Sequence, residues 1–286
     1  MLTDIERVSE RVLEVGYSFS SPKGMAHQLH ISDVHFDSRN CDRKLLKSHL
    51  EAIKAKNGSI YIYGDWFDVM GAYGDPRSKM QDIRPEYNVP GRAYLDLVIE
   101  DSFEFLKPYS DHLVFMGKGN HETNIEKRHD TDPIQRLVYL LQQHGSNVAA
   151  GSYTGYIRFR LNYNNNRRAT NLQYHHGSGG GAKRSKGMLQ NQIKGFMYPD
   201  AEIVVSGHDH QKWYDPSNVR ERISPNGNVY YDTQHVLKLG SYKSKSPSGM
   251  GFEHEKEFMP TRLGGWFVDL EFNKKERVKV HVAEAG

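Results

Sequence analysis

Short apolar runs that stop at glycine or at a polar cluster recur along this chain. Ser59–Tyr63, His112–Gly117 and Ala201–Ser206 are short enough for buried strands and rich in residues that favour them, and Met25–Ser32 reads as a further strand. Between them the period changes. Leu45, Leu46, His49, Leu50 and Ile53 share one face of a helix over Leu45–Lys56, closed by Asn57-Gly58. Arg92–Leu106 is helical and stops before Pro108, and Pro133–His144 starts at a proline behind Asp132, a helix-entry signal. Ala182–Met197 reads as a helix entered through Gly179–Gly181. Thr3 and Glu6 form a capping-box pair ahead of Ile5, Val8, Val12 and Leu13 at helical spacing, which predicts an N-terminal helix over Thr3–Val15. Tyr153–Tyr163 and Thr170–His175 flank an Asn164-Asn165-Asn166 turn as a hairpin. Strands near Val229–Tyr231, Val236–Leu239, Gly265–Phe272 and Val278–Val282 complete the series.

Strands and helices alternate first, and strands dominate later. That order predicts an α/β fold, a four-layer α/β/β/α sandwich of two mixed sheets flanked by helices. With 286 residues and 37% hydrophobic content, a single domain over 1–286 has enough chain to bury a core. Two connections, 69–91 and 241–264, are long for a compact domain, and such loops are functional or mobile. A net charge of +3 is too small to imply nucleic acid or membrane by itself. One cysteine, Cys41, excludes an internal disulfide. No secretory signal or membrane-length apolar run is evident, so the expected location is the cytoplasm.

Five strands end in residues able to hold metals. Asp33 and His35 follow the first, Asp65 follows Gly64, Asn120 follows Gly119, His176 precedes Gly177, and His208 and His210 follow Gly207. In α/β sheets ligands collect at strand C-terminal ends. Asp33 and His35, like His208 and His210, lie two apart, which in extended chain puts both on one side. Three carboxylate or amide oxygens and four imidazoles exceed one tetrahedral zinc and suit two divalent ions. Two such ions bring +4 against about −2 from Asp33 and Asp65, leaving about +2 for hydroxide and phosphate oxygen. His121, beside Asn120, is placed to protonate a leaving oxygen.

The set Asp33-x-His35, Gly64-Asp65-x-x-Asp68, Gly119-Asn120-His121-Glu122, His176-Gly177 and Gly207-His208-x-His210 resembles the calcineurin-like metallophosphoesterase family, with all motifs in family order. The resemblance implies that Asp33, His35, Asp65 and His210 hold one metal. It implies that Asp65 bridges to a second metal held by Asn120, His176 and His208. It also implies that His121 assists the leaving group and that Asp68 and Glu122 support these residues. One departure stands out: family protein phosphatases follow the second motif with Arg-Gly, and here Val69-Met70 follows Asp68. That favours the phosphodiesterase and nuclease branch over protein phosphatases.

The expected activity is metal-dependent phosphodiester hydrolysis, with a metal-held hydroxide attacking phosphorus and His121 protonating the leaving group. A phosphomonoesterase, or a non-catalytic metal-binding module on the same fold, is the alternative. Manganese heads the candidate metals, with iron, zinc, nickel or magnesium also suited to the ligand types. Nucleotides and single-stranded nucleic acid are candidate substrates, no membrane partner is expected, and the oligomeric state is open. Lys183 and Arg184 at a helix start, and Trp213 and Tyr214 just past His210, are candidate substrate contacts. The competing reading of Lys183 and Arg184 is a solvated helix face. His175 is expected to be structural, His27 and His30 to be core or cross-strand residues, Asp209 to point away from the metals, and Trp66 and Phe67 to pack in the core.

Overall fold

The computed structural model describes residues 1–69, 83–179, 188–224, 226–244 and 261–285. Two mixed sheets lie face to face. One comprises β3 (Lys23–Ile31), β4 (Ser59–Tyr63), β5 (Leu113–Gly117), β6 (Ala149–Ala150), β12 (Trp266–Asn273) and β13 (Lys279–Glu284), in the order β13-β12-β3-β4-β5-β6. The other comprises β1 (Leu2–Ser9), β2 (Val12–Ser18), β7 (Thr154–Tyr163), β8 (Asn166–His175), β9 (Ile203–Ser206), β10 (Trp213–Ile223) and β11 (Val229–Lys238), in the order β1-β2-β7-β8-β9-β11-β10.

Alternation along the strands divides the core. Tyr61, Tyr63, Val114 and Phe115 of the first sheet meet Phe159, Leu172, Ile203 and Val205 of the second. Leu29, Ile31, Ile60 and Ile62 face the other way, onto α1 (Arg43–Ala55), α2 (Tyr94–Leu106) and α4 (Pro133–Gln143). α5 (Met188–Met197) lies against the outer side of β11, beside Ala201, Val204 and Val236. The four layers expected from the sequence are present.

The N-terminal segment departs from expectation. Thr3–Val15 is not a helix but most of the β1–β2 hairpin. Leu13, Val15 and Tyr17 alternate into the inter-sheet core, and β2 pairs in parallel with β7. Three valines and an isoleucine favour that pleat, so sheet pairing overrides a helical spacing that fitted equally well. Two expected strands, Val229–Tyr231 and Val236–Leu239, are one continuous β11, and β10 beside it was not anticipated.

The inter-sheet core contains a continuous polar chain. Tyr61 and Tyr17 hydroxyls lie 2.7 Å apart, Gln28 donates to Tyr17 at 3.1 Å, and His30 joins Gln28 at 2.9 Å and Tyr63 at 2.8 Å. His27 reaches across to Asp269 at 2.8 Å. Trp66 and Phe67 are fully buried. His27, His30, Trp66 and Phe67 thus occupy the structural places the sequence suggested.

Candidate metal centre

β3, β4 and β5 run parallel in one sheet, β8 and β9 run parallel in the other, and all five deliver polar residues at their C-terminal ends. The local geometry is not the extended chain expected. Asp33, His35, Asp65, His208 and His210 all have left-handed backbones, with φ of 52°, 50°, 48°, 80° and 57°. Side chains other than glycine seldom adopt that conformation, and such strain concentrates at functional sites. The tight turns aim the side chains inward.

Glycine has a different use at each of two positions. Gly64 has φ of 99°, and a Cβ there would meet the backbone nitrogen of Gly119 at 2.6 Å and His176 Nδ1 at 2.7 Å. Gly119 is extended, and its use is close approach, since a Cβ would overlap Asp65 Oδ1. Beyond Gly119 the chain enters α3 (Asn120–His129), so Asn120 and His121 open a helix instead of lying exposed beyond a strand. His121 is buried.

Three groups of side chains could each hold a cation: Asp33 with His35 and His210, Asp65 with His176 and His208, and His35 with Asp65 and His121. Within each group the ligand atoms lie within 4.8 Å of one another. His35 Nε2 and His210 Nε2 are 3.2 Å apart, and His210 Nε2 is 3.6 Å from Asp33 Oδ1. Asn120 Oδ1 lies 2.7 Å from His208 Nδ1 and 3.3 Å from His176 Nε2. All seven sequence-derived ligands therefore converge. His121 Nε2 lies 3.9 Å from Asp65 Oδ2, and His121 belongs to one of the two groups that contain Asp65.

The electrostatics fit a cationic occupant. Burial lowers His35 to about 4 and His210 to about 3, which leaves both imidazoles neutral with a lone pair to donate. Burial also lowers His208. His176 is the exception: against burial, Asp65 and Asp33 raise it to about 9. Burial pushes Asp65 up, but His176, His121 and His35 hold it well below the usual carboxylate range. The His176–Asp65 pair, 3.2 Å apart, thus keeps a proton where a divalent ion would neutralise the same oxygens. Mixed oxygen and imidazole donors, with Asp65 central, fit a pair of divalent ions.

The surrounding residues fix these candidate ligands. Glu122, fully buried, accepts from the backbone N–H groups of Asp65 at 3.0 Å, Phe67 at 3.0 Å and Gly119 at 2.7 Å. It ties the β4 and β5 termini together. Asp68 Oδ1 lies 2.8 Å from His35 Nδ1, although poorly aligned for a hydrogen bond. His176 Nδ1 donates to the Tyr63 carbonyl at 3.0 Å, which turns Nε2 toward Asp65. His121 Nδ1 donates to the Asp68 carbonyl at 2.6 Å and likewise presents Nε2.

Two residues of the site were not singled out from the sequence. Asp37 accepts from the N–H groups of Asp68 at 2.6 Å and Val69 at 2.8 Å, and from the Tyr94 hydroxyl. It holds Val69, a β-branched residue at φ 47°, in its strained conformation. Lys243 places Nζ 3.0 Å from both Asp68 oxygens. The Asp33-x-His35-x-Asp37 spacing was a usable signal for the first, whereas nothing local marks Lys243.

Other expected contacts fall elsewhere. Trp213 packs with Ala201, Val204 and Val236 on the outer side of the second sheet. Tyr214 stacks on His235 inside the sandwich, its hydroxyl 2.7 Å from His235 Nδ1. Both serve β10 packing, since the strand that follows His210 turns them into the sheet. Lys183 and Arg184 lie outside the described residues, as do 70–82 and 245–260 of the two long connections. His175 accepts from the Gly177 N–H at 2.9 Å, and Asp209 pairs with Lys238 at 3.1 Å, as structural residues would. No helix among the described residues is long and apolar enough to cross a membrane.

Among curated proteins no sequence matches the chain. Solved structures that align with it include a conserved uncharacterized protein, a predicted phosphoesterase, from Streptococcus pneumoniae TIGR4, at 11% identity over 91% of this chain and 98% of that one, with a TM-score of 0.32. Vps29 complexed with zinc from Entamoeba histolytica aligns at 13% identity over 91% and 99%, TM-score 0.34. GAP50, the anchor in the inner membrane complex of Plasmodium, aligns at 12% over 91% and 85%, TM-score 0.39. Likeness at that level carries no weight here. The sequence match does: the model of the calcineurin-like phosphoesterases covers residues 27–212, the span that contains every candidate ligand described above. The chain belongs to the calcineurin-like phosphoesterase family.

Proposed function

We propose that the protein hydrolyses phosphodiesters with two divalent ions. Asp33, His35, Asp65 and His210 would hold one, and Asp65, Asn120, His176 and His208 the other. The observation that carries this reading is the placement of Asp65, whose carboxylate groups with His176 and His208 on one side and with His35 and His121 on the other. When bound, such a pair activates water and neutralises the phosphoryl oxygens.

The chain's own residues supply the rest. His121 presents Nε2 toward Asp65 because its Nδ1 proton is committed to the Asp68 carbonyl. It would deliver the proton that the leaving oxygen needs. Glu122 keeps the Asp65 and Asn120 turns in register through its three backbone hydrogen bonds. The diester preference rests on charge. Val69 stands where an arginine would meet a dianion, and the Lys243 ammonium is matched against Asp68. A monoanionic diester needs less positive charge than a monoester dianion. Manganese, iron, zinc, nickel and magnesium all suit the donor set.

The test compares bis(4-nitrophenyl) phosphate with 4-nitrophenyl phosphate, using protein loaded with each metal in turn. A kcat/KM higher for the diester supports the reading. Higher efficiency on the monoester would assign a phosphatase, and turnover of neither would leave metal binding without catalysis.

A further inference from the structure

A cavity of about 660 Å³ opens beside Asn120, a volume typical of sites for small ligands. Asn120, Thr123, Glu126 and Lys127 of α3 line one wall, and Tyr153 lines the other. Positions 120, 123 and 127 fall on one helical face.

Tyr153 is held in place. Its hydroxyl donates to the Gly177 carbonyl at 2.5 Å, and its ring stands edge-on to His175 and His176, 5.3 Å from each. A ring fixed in this way loses little freedom when a flat group stacks on it. The charges on the other wall differ from each other. Glu126 is paired with Lys118, which also holds Asp132 at 2.5 Å. Lys127 is exposed, and among the described residues no carboxylate pairs with it.

Seven helical steps separate Asn120 from Lys127, about 10 Å along the axis. A ligand filling the cavity would have one anion at the metal ligands, a flat ring at Tyr153, and a second anion about 10 Å away. Simple diesters lack the second anion. A nucleic-acid strand carries phosphates separated by nucleosides, and an unpaired base leaves its face open for stacking.

We propose that this cavity is a subsite for single-stranded nucleic acid, with the base beside the cleaved phosphate stacked on Tyr153 and a following phosphate paired with Lys127. The inference rests on the phosphodiester reading and names its substrate class. The test is equilibrium binding of a fluorescein-labelled phosphorothioate tetrathymidylate to metal-loaded protein, followed by anisotropy between about 50 and 200 mM salt. Lys127→Met should weaken binding and flatten the log K against log salt slope by about 0.7, the value for one phosphate contact on a single strand. Lys127→Arg should restore the slope. Tyr153→Leu should weaken binding roughly tenfold with the slope unchanged. Should that variant fail to fold, the exposed Lys127 carries the test. No binding by the parent, or an equal slope in Lys127→Met, overturns the proposal. Turnover of bis(4-nitrophenyl) phosphate is measured on the same samples. Turnover without a Lys127 effect removes only the subsite, and a Lys127 effect without turnover removes only the hydrolase reading.

Discussion

Lys243 Nζ lies 3.0 Å from both carboxylate oxygens of Asp68, although 175 residues separate the two in sequence. Asp68 is fully buried, and burial alone would push its carboxyl up. Lys243 and His35 reverse that and hold it far below the usual range. Removing one partner of a buried pair leaves the other charge stranded, which costs about 3–5 kcal/mol in dry surroundings. Lys243 is partly solvated, so the expected loss for Lys243→Met is about 2 kcal/mol, read from urea unfolding at pH 7. Lys243→Arg should recover most of it. Equal stability of Lys243→Met and parent would show that the contact contributes nothing.

His121 and Asp37 separate chemistry from positioning. His121→Ala removes the candidate proton donor and should lower kcat on a diester with an alkoxide leaving group, such as a thymidine dinucleotide, by about two to four orders of magnitude. The loss should shrink with bis(4-nitrophenyl) phosphate, whose nitrophenolate leaves without needing a proton. Asp37→Asn retains one oxygen acceptor for the two N–H groups of Asp68 and Val69. The Asp68 carbonyl that orients His121 would then move, and kcat should fall about tenfold with the bound-metal stoichiometry intact. Metal content by mass spectrometry, measured beside the rates, distinguishes the two. A His121→Ala protein as active as the parent would remove the proton-donor role.

The candidate ligands were legible in the sequence because each is punctuated locally: an apolar strand, then glycine or a polar pair. Asp65 and Asn120 sit beside glycines that permit their close approach. Lys243 was not legible because its significance depends on a contact 175 residues away. The same asymmetry explains the fold. The parallel strands β4 and β5 announce themselves through continuous burial, whereas Leu13, Val15 and Tyr17 reveal a strand only once β7 is beside them. Trp213 and Tyr214 looked like substrate contacts because they follow His210, but β10 pairs with β11 and takes both into packing.

Gly64 offers a test of how closely the two sheets must approach at the site. At φ 99° an alanine is strained, and its Cβ would lie 2.6 Å from the Gly119 nitrogen and 2.7 Å from His176 Nδ1. Backbone cannot yield as the end of a flexible side chain can. Gly64→Ala should cost about 2–4 kcal/mol in stability and displace His176, lowering metal occupancy. Gly91, also at positive φ but with no atom within 4 Å of a Cβ, is the control, and its alanine variant should bear only the backbone cost of about 1 kcal/mol. Metal titration and urea unfolding of both variants check the difference. Equal losses would mean that contact at Gly64 is unimportant.

His30 makes the core sensitive to acid at a distance from the metal ligands. It is fully buried between Tyr63 and Gln28, and burial lowers its pKa from 6.5 to about 3. Below about pH 6.5 the unfolded chain takes up a proton that the folded protein refuses, so stability falls as pH drops toward 3. The slope from this one group approaches about 1.4 kcal/mol per pH unit in the middle of that window. His49, His175 and His235, each lowered by burial to about 4, add to it. His30→Gln keeps a donor and an acceptor but removes the titration. Its unfolding free energy between about pH 6 and pH 4 should decline less steeply than the parent's, by up to one proton's worth, even if it starts lower. Parallel pH profiles for the two proteins would show that His30 takes up its proton in the folded state.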